Sequence, residues 1–204
     1  MSSAAIDLDW VRFPVELRPP LGFSADDPGT WPAVDGRIEY VGGKLLYMPP
    51  CADVQQDVVP SVVHELYGWA EAHNDFVVAS NEAGMILGGE VRGADAAVWR
   101  RADAEPRTGH YRTRPPVLAV EVAGQDEGEG ELRAKARWYL DHAVELVWVV
   151  LPETHEVIVI RAGAETRHGA GARLPETALL PGLAPEVSRF FAQLDPRRSA
   201  PSPR

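Results

Sequence analysis

Val117-Leu-Ala-Val-Glu-Val-Ala123 is an apolar run that carries one carboxylate, Glu121. A glycine-rich acidic link over 124–130 follows it, then a helix-like segment from Glu131 to His142 and a second apolar run from Val144 to Leu151. Strand, helix and strand in that order make a crossover unit, whose two strands pair in parallel. Leu132, Ala136, Tyr139 and Leu140 give the helix one apolar side to bury. Glu121 is the anomaly. An ionised carboxylate within a sheet is costly unless it is paired, binds a metal or reaches water at a strand end, and the residue types alone leave these readings open.

Upstream, a second acid is placed in the same way, Asp95 in Ala94-Asp-Ala-Ala-Val-Trp99. Between the two lies a polar, proline-ended segment over 102–116 with Arg107, Arg112 and Arg114, long enough to point to a binding loop or lid. Nearer the N-terminus, Arg37 to Val41 and Lys44 to Met48 flank Gly42-Gly43 and predict a tight hairpin. Val58, Val59, Val62, Val63, Leu66, Trp69 and Ala70 recur at helical spacing, which predicts a helix from Val54 to His73 that is kinked at Pro60 or starts there. Phe76 to Ser80 and Gly84 to Leu87 read as two strands. After the crossover unit come a turn at Pro152 to His155, a strand from Glu156 to Ile160, and weak strand signals at Glu165 to His168 and Arg173-Leu174. A short helix from Pro185 to Leu194 closes the sequence of elements.

These elements define an α/β chain with a mixed (α+β) sheet, an N-terminal hairpin and flanking helices. Its 204 residues, 45% hydrophobic and 25% charged, suffice for one well-buried domain. Residues 1–32, with five prolines, read as an extended arm, 33–195 as the domain and 196–204 as a disordered tail. No apolar run approaches the roughly 18 residues of a membrane span, and no basic segment precedes an apolar one at the N-terminus, so the expectation is a soluble, cytoplasmic protein. One cysteine, Cys51, excludes an internal disulfide and a multi-cysteine zinc site, and reads as structural. The six tryptophans raise the expectation of a homodimer, since Trp is favoured at interfaces.

Several chemistries are excluded by what the residues lack. The six histidines show no metal spacing, and His64-Glu65 has no second His four residues after the first. There is no Gly-x-Gly-x-x-Gly opening a helix, no phosphate-cradling Gly-Lys-Ser/Thr and no Gly-x-Ser-x-Gly elbow. A net charge of −10 argues against a sequence-independent grip on phosphates, although bound divalent metal offsets part of the acid. What remains is Asp95, Glu121 and Lys135, the second of only two lysines. Two carboxylates and a carbonyl suit a hard divalent cation such as magnesium. In phosphodiester cleavage such a cation lowers the pKa of bound water, while an ammonium offsets developing charge.

The order of these elements resembles the core of the PD-(D/E)xK nucleases, and the stretch from about Ile38 to Phe191 resembles the Uma-two family, which is restriction-endonuclease-like. The resemblance rests on Gly43-Lys44-Leu45 to Met48-Pro49-Pro50, on Val117 to Val122, on Lys135 to Tyr139 with Val144 to Val149, and on Leu180-Pro181-Gly182-Leu183. It implies that Asp95 and Glu121 are metal ligands, with the Val122 carbonyl as a third, and that Lys135 is the catalytic lysine, supplied from the helix because Ala123 stands where the simplest pattern has it. Three positions depart from the family: Lys44 replaces an acid, Gln55 a histidine and Ala94 a proline. Gln55 is a catalytic candidate that bonds phosphate or water but cannot act as a base, and Lys44 would set an ammonium near the cation. The implied function is a Mg2+- or Mn2+-dependent endonuclease acting on nucleic acid, DNA before RNA. The alternative is an impaired nuclease fold that binds nucleic acid or protein.

Overall fold

The computed structural model describes residues 13–124 and 127–195. The expected tail and the first twelve residues of the expected arm lie outside the described residues. In chain order the elements are β1 (Val15–Leu17), β2 (Arg37–Val41), β3 (Lys44–Met48), α1 (Asp53–Ala70), β4 (Phe76–Leu87), β5 (Glu90–Arg100) and α2 (Arg101–Ala104). They continue with β6 (Leu118–Val122), α3 (Glu129–Asp141), β7 (Leu146–Leu151), β8 (Glu156–Arg161), β9 (Ala164–Gly169) and α4 (Val187–Phe190).

The nine strands form one mixed sheet, ordered β1-β3-β2-β5-β6-β7-β8-β9, with β4 also paired to β5. The crossover unit is as the sequence predicts: β6 and β7 are parallel, from Leu118 opposite Leu146 to Val122 opposite Val150. Both strands are buried at every residue, as continuous apolar runs covered on two faces must be. The alternation along β6 divides two cores. Leu118, Val120 and Val122 face α1 and α4 together with Val58, Leu66, Trp148 and Phe190. Ala119 faces α3 with Leu132, Ala136, Tyr139 and Trp99. Glu121 is on this second side.

Several local expectations are corrected. The first helix does not start at Pro60 but at Asp53, and runs through the proline; Pro60 and Gln56, whose carbonyl loses its partner, are both exposed, so water can take the orphaned bond. Phe76 to Leu87 is one strand, because Asn81 and Glu82 adopt positive φ and the irregularity between Ser80 and Ala83 is absorbed as a bulge while β5 pairs on both sides of it. The last helix is a single turn, continued to Leu194 by bonds of the i to i+3 kind, such as Leu194 N to Phe191 O at 2.9 Å; Arg173 makes only an isolated bridge to Glu186. Trp99 and Trp148 are spent in the core rather than on a surface.

β4 pairs with β5 from Arg100 to Glu90, interrupted only at Asp95 opposite the bulge, so β2 and β6 share the opposite edge. β2 pairs there only at Tyr40–Val91 and β6 only at Ala96 to Val98. Residues 92–95 therefore have no strand partner on that edge.

Candidate active site

Backbone groups left in such a gap must find other partners, and side chains supply them. Gly93 N–H donates to Glu39 Oε1 at 3.0 Å. The Gly93 carbonyl accepts from Lys135 Nζ at 3.0 Å and lies 3.3 Å from the Tyr139 hydroxyl. Asp95, the residue at the edge of the gap, accepts the Val122 N–H on Oδ2 at 2.7 Å, where a β5–β6 backbone bond would otherwise continue. Lys135 and Tyr139 are four residues apart on α3 and so share one face, the same face that buries Leu132 and Ala136.

Asp95, Glu121 and Lys135 thus come together in the gap. Lys135 Nζ donates to Glu121 Oε2 at 2.9 Å and to the Gly93 carbonyl, and forms a longer ion pair with Glu39 Oε1 at 3.4 Å. Tyr139 donates to Glu121 Oε1 at 2.7 Å. From α1, Gln55 Nε2 lies 3.2 and 3.3 Å from the two Asp95 oxygens and 3.0 Å from the Val122 carbonyl. Glu39, Gln55, Asp95 and Glu121 are the buried polar side chains among the described residues, 8%, 7%, 6% and 3% exposed.

Burial sets the electrostatics. It pushes the Asp95 carboxyl up to about 6, against the Val122 N–H and the Lys135 charge. It pushes Glu121 upward too, to about 8; Lys135 opposes this and the charge of Asp95 adds to it. For Lys135, burial acts to discharge the amine, but Glu121 and Glu39 outweigh it and hold the group well above the ordinary lysine range. Glu39 and Glu121 share the one ammonium of Lys135, and burial makes Asp95 and Glu121 easier to protonate than exposed acids.

Two participants escaped sequence reasoning. Glu39 lies in a mixed polar and apolar strand, and nothing local marks it as buried. Tyr139 was legible only as a core residue; the signal for its second role is its position one turn after Lys135. Lys44 moves the other way: it is exposed and paired with Glu16 at 2.8 Å, so its ammonium is not placed in the gap. The Arg107–Arg114 segment runs along β4, with Tyr111 packed where Gly84 lacks a side chain and Arg112 4.3 Å above the Trp99 ring. It encloses a groove of about 910 Å3 of mixed charge, lined by Arg107, Arg112 and Arg114 and by the acids Asp26, Glu82, Asp103 and Glu105.

Among the described residues no three His, Cys, Asp or Glu side chains are gathered as a metal site. The oxygen set that would suit a hard cation is smaller: Asp95, Glu121 and the Val122 carbonyl, the ligand types such an ion prefers.

A mixed sheet with an Asp on one strand, a Glu on the next and a Lys on the crossover helix defines a restriction-endonuclease-like protein. The chain belongs to the Uma2 (Uma-two) family, described as "Putative restriction endonuclease", whose model matches residues 29–191. Proteins of this fold group generally use divalent metal. In fold the chain is similar to the crystal structure of "a putative nuclease belonging to DUF820 from Anabaena variabilis ATCC 29413", with a TM-score of 0.73 and 15% identity over 84% of this chain and 99% of that one. No curated protein matches it. No helix of the described residues is long and apolar enough to cross a membrane.

Proposed function

We propose that the chain is a magnesium-dependent endonuclease that hydrolyses phosphodiester bonds of nucleic acid, with DNA the preferred substrate. One observation carries this: Asp95, Glu121 and Lys135, from two strands and a helix, are gathered about the unpaired gap of β5. Magnesium or manganese held by Asp95, Glu121 and the Val122 carbonyl would polarise the phosphate and lower the pKa of a bound water. Lys135 keeps its proton and offsets the charge that builds on the phosphate oxygens. Tyr139 fixes the orientation of Glu121, and Glu39 holds Lys135 by its second carboxylate contact. Gln55, an amide, moves no proton. Arg107, Arg112 and Arg114, in a groove that also holds Asp26, Glu82, Asp103 and Glu105, offer phosphate contacts in an otherwise acidic protein.

The test is incubation of the purified chain with plasmid DNA and with RNA, in magnesium and in manganese. Cleavage that disappears in Asp95→Ala and Glu121→Gln is expected, with DNA cut faster. No cleavage of either polymer by the unaltered chain would overturn the proposal and leave a nuclease fold that binds nucleic acid or protein without cutting. A cytoplasmic location and a homodimer belong to the same proposal; sedimentation of a single monomeric species would remove the dimer.

A further inference from the structure

The side chain that stands among the proposed ligand oxygens is Gln55. Its amide nitrogen contacts both Asp95 oxygens and the Val122 carbonyl, at 3.0 to 3.3 Å. The orientation of the amide is fixed by chemistry: all three neighbours are acceptors, so an amide turned over would set its own oxygen against three others. The amide oxygen points instead towards Gly124, where a Cβ would lie 3.6 Å from it. Nor is the contact a surface accident. Gln55 is 7% exposed and belongs to the first turn of α1, which Val58, Val62 and Leu66 anchor in the core. The NH2 group carries partial positive charge and two protons, and it satisfies the oxygens much as a weak, neutral cation substitute does.

We infer that Gln55 competes with the divalent cation for Asp95 and the Val122 carbonyl, so that this one residue sets how tightly the chain binds its metal. The inference rests on the cation proposal above and adds to it a price, since the ion must expel a buried, hydrogen-bonded amide before it can bind. A side chain at position 55 that donates nothing leaves the oxygens free. One that brings an oxygen of its own adds a ligand.

Calorimetric titration of manganese into the full chain, Gln55→Ala, Gln55→Glu and the double variant Gln55→Ala/Asp95→Asn tests it. Gln55→Ala is expected to bind about tenfold tighter than the unaltered chain, the equivalent of about 1.4 kcal/mol or one hydrogen bond. Gln55→Glu should bind at least as tightly, and the double variant should lose binding. Equal or weaker binding by Gln55→Ala, with binding still dependent on Asp95, would overturn the inference while the cation proposal stands. Absence of binding by every form would overturn both. If Gln55→Ala does not fold, the thermal midpoint of Gln55→Glu decides: manganese should raise it further than that of the unaltered chain, and an equal rise counts against competition.

Discussion

Lys135 Nζ lies 2.9 Å from Glu121 Oε2 and 3.4 Å from Glu39 Oε1, so one ammonium from α3 ties the carboxylates of β6 and β2 across the gap in β5. The contact is structural as well as chemical. It closes the sheet at the point where two strands leave a third, and it does so with a charge that can also serve a phosphate.

Lys135→Met keeps the length of the stem and removes the charge. Where Glu121 is ionised, above its folded value of about 8, the buried carboxylates then lose their counter-ion, and loss of one partner of a buried pair costs about 3–5 kcal/mol. The urea midpoint above pH 8 should fall accordingly, and a loss below about 1 kcal/mol would show the pair to be effectively solvated.

Glu39 has two duties, and they separate. Glu39→Gln keeps an oxygen for the Gly93 N–H but withdraws a charge from Lys135; Glu39→Ala leaves that N–H unpaired as well. Leaving a buried donor unsatisfied costs about 1–3 kcal/mol, so the alanine variant should be the less stable by that margin in denaturant. Equal stability would mean that water reaches Gly93.

The acids also set a pH dependence. The folded chain raises Asp95 from 3.8 to about 6 and Glu121 from 4.5 to about 8, burial being the main cause in both. Groups held protonated by folding contribute stability that is complete below their unfolded pKa and is lost as pH rises through the folded value. The surface carboxylates Glu129 and Glu165, lowered by their arginine partners, have finished their opposite contribution above 4.5. With a chelator present, the thermal midpoint should therefore fall between about pH 5 and pH 8, less steeply in Asp95→Asn, and manganese should flatten the fall by favouring the ionised carboxylates. A midpoint that rises over this range without metal would contradict the burial of these acids.

How much of this the sequence disclosed follows from what is local. Asp95 and Glu121 stood out because each is a lone acid in an apolar run, and Lys135 because it is the second of only two lysines and matches the lysine of the resembled family. The crossover from Leu118 to Leu151 was legible from strand, helix and strand alone. Glu39 was not, since its burial comes from β5, fifty residues on in round terms, and from the ammonium of α3. Pro60 misled because the cost of proline depends on whether the freed carbonyl faces water, which tertiary packing decides. Asn81-Glu82 read as a break between strands because the neighbour that carries the sheet past them is β5, not the adjoining sequence.

Anomalous scattering from manganese-soaked crystals shows whether the gap in β5 is a cation centre. One peak is expected within coordination distance of Asp95, Glu121 and the Val122 carbonyl, with the Gln55 amide displaced from those oxygens and Lys135 still on Glu121. A gap that stays empty at saturating manganese, with Gln55 still bonded to Asp95, would contradict a cation centre.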